Sequence, residues 1–344
     1  MVTFGVVGAD HRHIYHLIEG LLRAGAVCAG YVSASSDPKV VEGVQSRFPQ
    51  LRAVDTAQEL YESPAIDLIV TAAVPCERAG IAIQAMQHGK DVLTDKPGVT
   101  DRTQLQQVEA AVKATGRRFA ICFSERMIVP SVATAHRLIE DGAIGEVVQT
   151  LGMGPHRLNA AIRPDWFFDK SQYGGILVDI ASHQIDQFLV LTRSTDAEIS
   201  HAAIGHLGRA TRPDFQDFGE VALQSKTNHS RGYIRVDWFT PEGLPTWGDG
   251  RLFITGTAGT IELRKYVDIE GRSGTDHLFL CDRQGTRYID CTSEPITFFN
   301  KLVQDIQDRT ETAISHAHAF TVCRLALDAD AHALQGQPCR KKLA

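Results

Sequence analysis

The chain has 344 residues, with 35 basic and 41 acidic side chains and a net charge of -6. A chain of this length can bury the cores of two domains. Its basic residues are scattered, which excludes an extended nucleic-acid surface, and the one tight cluster, Arg340-Lys341-Lys342, predicts a solvated tail. No apolar run approaches the ~20 residues that a membrane helix needs. Seven cysteines without a CxxC pair predict reduced thiols, so we expect a cytoplasmic protein.

The N-terminal segment predicts a strand, a tight turn and a helix. The apolar run 2–8 ends at Gly8, and a helical pattern follows a short polar stretch. In such a turn, main-chain amides and the positive end of the helix can meet a diphosphate, as they do in dinucleotide sites. Asp10 and His13 occupy the positions of the second and third glycines of the usual fingerprint, so one glycine of three remains. The turn alone is therefore a weak indication of a nucleotide site.

Strand-like and helical patterns alternate through the first part of the chain. The strand-like runs are 27–33, 66–72, 91–94 and 119–123, and the helical stretches are 38–48, 76–88 and 102–115. Repeated strand-helix units predict a doubly wound parallel sheet of the Rossmann type, with ligands at the carboxyl ends of its strands. The segment Asp95-Lys96-Pro97 falls just after the run 91–94, so Lys96 is expected at that edge. A lysine is by default a surface charge, but this position beside Pro97 favours a functional role.

Loops of the second half offer candidate substrate contacts. Arg157, Arg163 and Trp166 supply planar donor groups and aromatic surface, which polyhydroxylated or carboxylated ligands use. The segment 238–251 holds two of the three tryptophans of the chain. Stacking on a sugar and contact with a partner subunit are equally good interpretations of that segment.

The segment 174–186 predicts a helix that begins after Gly174-Gly175. Asp179 and His183 are four residues apart, so in a continuous helix they project from one face. A carboxylate and an imidazole in this arrangement can act as an acid/base pair, since histidine exchanges a proton near neutral pH. For this helix taken alone, a core histidine that only completes a hydrogen bond is an equally good interpretation.

The remaining strand-like segments follow one another without intervening helices, which predicts an antiparallel sheet. Helical patterns at 297–310 and 316–335 close the chain, and one of them is expected to return to the first domain. We therefore expect a dinucleotide-binding Rossmann domain over residues 1–123. An α+β domain over residues 124–344 is expected to carry a large, mainly antiparallel sheet and to serve substrate binding and oligomerisation. The predicted strands of this sheet are 147–152, 198–207, 219–225, 232–239, 251–255, 260–264, 277–282 and 286–290.

Several of these motifs, taken in order, resemble the Gfo/Idh/MocA family, named after glucose-fructose oxidoreductase, inositol dehydrogenase and a rhizopine-catabolism protein. The resemblance covers nearly the whole chain. It rests on the Gly8 turn, on Asp95-Lys96-Pro97, on Gly174-Gly175 with Asp179 and His183, and on the stretches 88–92, 141–147 and 256–261. It implies a nicotinamide-dependent dehydrogenase or reductase that acts on a secondary alcohol of a sugar, sugar derivative or cyclitol.

The resemblance also implies roles for individual residues. Lys96 would bind the reacting oxygen, His183 would be the general base in oxidation, and Asp179 would orient a substrate hydroxyl. A homodimer or homotetramer through the C-terminal sheet is the implied assembly. Cofactor contacts are expected from Gly8, Asp10, His11, His13, Ser33, Pro75 and Lys96, and substrate contacts from Arg157, Arg163, Trp166 and Asp179.

Two departures from the family pattern leave the cofactor open between NAD and NADP. Asp10 and His13 make the turn bulkier, and the acid would repel a diphosphate unless Arg12 compensates. The acidic residue of the family at the end of the second strand is replaced by Ser33-Ala34-Ser35-Ser36. Serines tolerate a 2′-phosphate better than an acid does, but that loop contains no arginine to bind one and Asp37 can still serve NAD.

Other functions remain open. A glycosidase or lyase could use bound NAD transiently, through oxidation, elimination and regeneration of the cofactor. A nucleotide-binding sensor without chemistry is a third possibility, which the intact catalytic triplet argues against. His11, His13 and His16 with Asp10 contain enough donor atoms for a metal, but their spacing is not a recognised ligand pattern and we expect no metal. His11 or His13 is instead expected at the nicotinamide pocket.

Overall fold

The computed structural model describes residues 1–208, 212 and 214–335, and the basic cluster at 340–342 lies outside the described residues. Its strands are β1 (Thr3–Ala9), β2 (Val27–Val32), β3 (Ala53–Val54), β4 (Leu68–Ala72), β5 (Asp91–Asp95), β6 (Phe119–Cys122), β7 (Val147–Pro155), β8 (Ala197–Gly205), β9 (Phe218–Ser225), β10 (Arg231–Asp237), β11 (Arg251–Gly256), β12 (Gly259–Arg264), β13 (His277–Asp282) and β14 (Gly285–Asp290). Its α-helices are α1 (Ile14–Arg23), α2 (Pro38–Arg47), α3 (Ala57–Glu62), α4 (Arg78–Gln87), α5 (Arg102–Thr115), α6 (Ser124–Met127), α7 (Pro130–Glu140), α8 (Lys170–Tyr173), α9 (Ile176–Asp179), α10 (Ala181–Leu191), α11 (Phe298–Asp308) and α12 (His316–Gln335).

The chain divides into two compact units, each made of several segments. The first unit comprises Met1–Phe123, Arg163–Gly174 and Thr297–Cys323. The second comprises Ser124–Ile162, Gly175–Ile296 and the chain from Arg324 onward. Among the described residues of both units, no helix combines the length and the apolar character that a membrane crossing requires.

The first unit is built on a six-stranded sheet with the order β3-β2-β1-β4-β5-β6, and all of its strand pairs are parallel. Every residue of β4, β5 and β6 is buried. Such uniformly buried strands belong to a sheet that is covered on both faces, as the strand-helix alternation predicts. The doubly wound Rossmann sheet is thus confirmed, and its carboxyl edge carries the turns after β1, β4 and β5.

The second unit contains an eight-stranded sheet with the order β14-β13-β12-β11-β7-β10-β9-β8. β7 and β10 pair in parallel, and the other neighbours pair antiparallel, which confirms a mainly antiparallel sheet. Buried residues alternate with partly exposed ones along β9 and β10, so one face of the sheet packs on the core. Apolar residues of α7 and of β11, β12 and β13 form a buried cluster in this unit.

Candidate active site

Gly8 shapes the turn between β1 and α1. Its φ of +78° is in the left-handed region, and a Cβ atom there would lie 2.4 Å from the Cβ of Ala73. A side chain at position 8 is therefore excluded both by the backbone conformation and by the end of β4. The amides of Asp10 and His11 donate to the carbonyl of Ala72 at 3.2 and 2.9 Å. These two amides, which sequence reasoning offers to a diphosphate, are thus already paired with the protein.

Asp10 points its carboxylate at the loop after β2. One oxygen, Oδ1, accepts hydrogen bonds from the Ser36 amide at 2.5 Å, the Ser36 hydroxyl at 2.7 Å and the Ser35 hydroxyl at 2.8 Å. The Asp10 residue is only 5% exposed. Ser33, the predicted ribose contact, is exposed, and its hydroxyl donates to the carbonyl of Val54 at 3.5 Å. Asp10, which replaces a glycine of the family pattern, therefore contacts the serine loop that replaces the family's acidic residue.

Two histidines of the turn between β1 and α1 lie close to the buried carboxylate of Asp95. Nδ1 of His13 is 2.9 Å from Oδ1 of Asp95, and Nδ1 of His11 is 3.5 Å from Oδ2. Burial, followed by the charge of His13, lowers the pKa of His11 to about 3. Burial alone would raise the pKa of Asp95, but His13 and Arg78 hold it well below its usual value. A neutral His11 therefore faces an ionised Asp95 at neutral pH.

The same three side chains contain the donor atoms of a possible cation site. Their nitrogen and oxygen atoms lie within 4.8 Å of one another. Tetrahedral zinc, with bonds of about 2.0–2.2 Å, places its ligand atoms only about 3.3–3.6 Å apart. In addition, Nη2 of Arg78 is 3.3 Å from Oδ2 of Asp95 and competes with a cation for that oxygen. The positive charge of Arg78 beside the carboxylate therefore disfavours a cation at this donor set.

Arg78 fixes the turn that carries Lys96. The Arg78 side chain is 1% exposed, and its Nη1 atom donates to the carbonyls of Asp95, Lys96 and Pro97 at 3.0, 2.5 and 3.1 Å. Its Nε donates to the carbonyl of Ala73 at 2.8 Å. Lys96 itself is buried and follows the last strand residue of β5, as predicted, and its peptide bond to Pro97 is cis. Sequence reasoning did not single out Arg78, because nothing in the local pattern separates it from a surface arginine.

The other predicted residues of the first unit lie in three places. Pro75 is buried and begins a short 3-10 turn after β4, at the same edge of the sheet as Lys96. Trp166 is buried, and its ring centroid is 6.4 Å from that of His11. The guanidinium group of Arg163 lies over the ring of Phe167 at 4.4 Å. Trp166 is thus the substrate candidate that the structure brings beside the histidine turn.

In the second unit, Arg157 is engaged with a loop. Its guanidinium donates to the carbonyl of Pro241 at 2.9 Å and also to the carbonyl of Leu244. The loop follows Trp238, whose ring lies 5.3 Å from that of His156 in an edge-on contact. Arg157 therefore shapes the candidate loop around residues 238–251.

The predicted single helix over residues 174–186 is wrong in one respect, because the chain forms two helices there. Asp179 is the last residue of α9, and His183 lies in the first turn of α10, with Ile180 between the two helices at φ -99° and ψ -48°. Gly174 and Gly175 precede them with φ values of +91° and +98°. His183 is 2% exposed. The break at Ile180 means that the four-residue spacing of an ideal helix does not by itself fix the relation of Asp179 to His183.

A buried ion pair lies in the same unit as His183. Nζ of Lys265 is 2.6 Å from Oε2 of Glu125, with side-chain exposures of 1% and 3%. Nε2 of Gln184 donates to the same oxygen at 3.1 Å, and Nζ of Lys265 donates to Gln187 at 3.2 Å. Burial alone would raise the pKa of Glu125, but Lys265, followed by His183, lowers it to about 2. The helix that carries His183 is thus anchored to an ionised carboxylate.

The two sheets, one parallel with a glycine turn and one mainly antiparallel, define a Rossmann-type protein with a second α+β unit. Residues 2–123 match the model of an oxidoreductase family with an NAD-binding Rossmann fold, and residues 132–262 match that of the GFO/IDH/MocA C-terminal domain. The chain belongs to the Gfo/Idh/MocA family.

Several known proteins are similar to this chain in sequence or structure. A solved protein from Erwinia carotovora atroseptica SCRI1043 has a TM-score of 0.93 and 41% identity, over 97% of this chain and 99% of that chain. The scyllo-inositol 2-dehydrogenase (NAD(+)) of Bacillus subtilis (strain 168) is 25% identical over 88% of this chain and 86% of that protein. Levoglucosan dehydrogenase of Pseudarthrobacter phenanthrenivorans is 30% identical over 54% of this chain. The chain spans about half the length of that dehydrogenase (48%) and of the oxidoreductase YdgJ of Escherichia coli (strain K12) (53%).

Proposed function

We propose that the protein is an NAD(P)-dependent oxidoreductase that transfers a hydride between nicotinamide and a secondary alcohol of a sugar, sugar derivative or cyclitol. The observation that carries the proposal is Lys96, a buried residue at the carboxyl end of β5 whose turn is fixed by Arg78. Ligands of parallel sheets bind at this edge. The names of the relatives, a scyllo-inositol 2-dehydrogenase and a levoglucosan dehydrogenase, support the substrate class.

Three residues carry the chemistry in this proposal. Lys96 binds the reacting oxygen and stabilises the negative charge that develops on it, because a preorganised cation needs no rearrangement when the charge forms. His183 takes the hydroxyl proton in oxidation and returns it in reduction. Asp179 orients a substrate hydroxyl. A bound nicotinamide would supply the hydride chemistry.

The first unit offers residues that suit a nicotinamide dinucleotide. The positive φ of Gly8 allows the close turn between β1 and α1 that such cofactors need. Pro75 and Lys96 begin the turns after β4 and β5, at the same edge of the sheet. We propose that the cofactor is NAD or NADP and that the contacts come from Gly8, Asp10, His11, His13, Ser33, Pro75 and Lys96.

Substrate contacts are proposed for Arg157, Arg163 and Trp166. Trp166 contributes an aromatic surface beside His11, and such surfaces pack against the apolar faces of sugar rings. Arg157 acts through the loop that it holds by the carbonyls of Pro241 and Leu244.

We also propose a homodimer or homotetramer that forms through the sheet of the second unit. Tyr288 of β14 belongs to this sheet and is 43% exposed. Partly exposed residues alternate with buried ones along β9 and β10, which leaves a second face of the sheet for a partner. The molecular mass in solution tests this assembly.

The proposed activity is tested by incubating the purified protein with NAD⁺ or NADP⁺ and a panel of inositols, anhydrosugars and aldoses. We expect one of these substrates to yield ketone and reduced cofactor in equal amounts. A substrate that is consumed without net reduction of the cofactor would instead favour the transient-oxidation alternative.

A further inference from the structure

The carboxylate of Asp10 lies where the adenosine ribose of a dinucleotide is normally recognised. In Rossmann sites an acidic residue at the end of the second strand binds the ribose hydroxyls, and it is replaced or joined by basic residues where the ribose carries a 2′-phosphate. Here the loop after β2 supplies Ser35 and Ser36, and both donate to Oδ1 of Asp10. The turn after β1 thus brings a second carboxylate to this loop, whose own acid, Asp37, caps α2 through the Lys39 amide.

Three hydrogen-bond donors of the loop face this carboxylate, although the Ser35 hydroxyl also lies 2.9 Å from the carbonyl of Ala9 and 3.1 Å from that of Asp37. A 2′-phosphate needs donors and positive charge, and the Ser36 amide and the hydroxyls of Ser35 and Ser36 are the donors that the loop directs at Asp10. Ribose hydroxyls can instead donate to a carboxylate. The same group therefore attracts an unmodified ribose and repels a phosphorylated one.

A second acid reinforces the negative charge. Burial, followed by the charge of Asp10, raises the pKa of Glu77, so Glu77 lies within electrostatic range of Asp10. The charges of Arg47 and Arg12 act on Tyr15 and lower its pKa, against the larger effect of burial. The guanidinium of Arg47 lies over the Tyr15 ring at 4.3 Å. Asp10 is the acid whose carboxylate bonds directly to Ser35 and Ser36.

We propose that Asp10 is a specificity-determining residue that selects NAD over NADP, by placing a carboxylate from the first turn into the ribose loop of the second strand. This inference rests on the proposed function, because it concerns the cofactor of the same site.

Direct binding titrations of the full-length protein with NADH and NADPH, by calorimetry or tryptophan quenching, test the proposal. We expect the wild type to bind NADH at least ~10-fold more tightly than NADPH, and Asp10→Asn to reduce this ratio to less than ~3-fold. Asparagine keeps the shape and the acceptor oxygen but removes the charge. Asp37→Asn is the matched control, because Asp37 lies in the same loop and caps α2 through the Lys39 amide, a role that asparagine retains. It should leave the ratio unchanged.

A second measurement does not depend on the folding of a variant. Repulsion between the carboxylate and a 2′-phosphate is screened by salt, so the NADH preference of the wild type should shrink as ionic strength rises. The proposal is overturned if the wild type binds NADPH as tightly as NADH, or if Asp37→Asn rather than Asp10→Asn removes the preference. Folded protein that binds neither cofactor would reject the proposed function and this inference with it.

Discussion

Glu125 and Lys265, which lie 140 positions apart in the sequence, form a buried ion pair beneath the helix of His183. Gln184 and Gln187 of that helix each bond to one member of the pair. Two opposite charges taken out of water are tolerated only when they are close and their remaining hydrogen-bonding groups are largely satisfied. The ion pair therefore stabilises the second unit and also holds the helix that carries His183.

Removing the charge of Glu125 should be costly. In Glu125→Gln the ammonium group of Lys265 stays buried without a counter-charge, so we expect the free energy of unfolding to fall by about 3–5 kcal/mol. Denaturant titration measures this change. Glu140→Gln is the control, since the Glu140–Arg193 pair is about half exposed and should contribute less than ~1 kcal/mol. Equal effects of the two substitutions would contradict the buried role of Glu125.

Stability should fall in acid because of two partly buried histidines. Burial, followed by the charge of His13, lowers the pKa values of both His11 and His16 to about 3, from 6.5. Both are therefore neutral in the folded protein, while the unfolded chain takes up protons below pH 6.5. The contribution of these two neutral histidines to the free energy of unfolding is present above pH 6.5 and is lost as the pH falls towards 3.

Denaturation midpoints at pH 8 and pH 5 test this dependence. His16→Gln should reduce the loss of stability between the two pH values, because a titrating group has been removed. His229→Asn should not, since His229 is exposed and its positive φ of 64° suits asparagine. An unchanged pH dependence in His16→Gln would refute the assignment of a neutral imidazole at position 16.

Arg78 should be needed for both stability and activity. Lysine cannot reach the carbonyls of Ala73 and of the turn at 95–97 together, because it has one donor centre where arginine has a fork. For Arg78→Lys we expect a loss of roughly 2–4 kcal/mol in the free energy of unfolding and a lower kcat. Arg23→Lys, at a 79% exposed side chain, should change stability by less than ~0.5 kcal/mol. A fully active and stable Arg78→Lys protein would show that the turn of Lys96 needs no such support.

The catalytic roles predict distinct kinetic losses. His183→Ala should lower turnover by roughly 10²–10⁴-fold and leave cofactor affinity nearly unchanged, because a general base acts in the chemical step. Lys96→Ala should lower turnover by at least ~10²–10³-fold, since the substitution removes a preorganised oxyanion contact. Steady-state kinetics and cofactor titration of each variant measure both quantities. Wild-type turnover in His183→Ala would refute the assignment of His183 as the general base. Near-normal turnover in Lys96→Ala would mean that another residue stabilises the oxyanion.

Local patterns were sufficient to predict most elements of the fold. The helix over 102–115 and the strand over 277–282 have the predicted bounds, because their apolar periodicity and flanking residues are strong. The short elements β3 and α3 were not predicted, since two and six residues are too few for a periodic signal. The break at Ile180 was missed because no glycine or proline marks it.

Long-range contacts of the candidate site were beyond sequence reasoning. The hydrogen bonds from Ser36 to Asp10 join residues 26 positions apart, and the Glu125–Lys265 pair joins residues 140 positions apart. Neither spacing has a local signature, because such contacts depend on the order and register of strands. The position of Lys96 at the edge of the sheet was predictable, since it follows from the end of a single strand.

The central claim, hydride transfer from a polyol carbon to nicotinamide, is tested most directly with substrates deuterated at the carbinol carbon. The substrate panel would include inositols and levoglucosan, and mass spectrometry would follow the label into the reduced cofactor. The account predicts that, for at least one substrate, one deuterium appears in NADH for each ketone formed, and that the His183→Ala protein shows this transfer at a greatly reduced rate. Product formation without label in the cofactor, or no transfer from any substrate in folded protein that binds NADH, would contradict it.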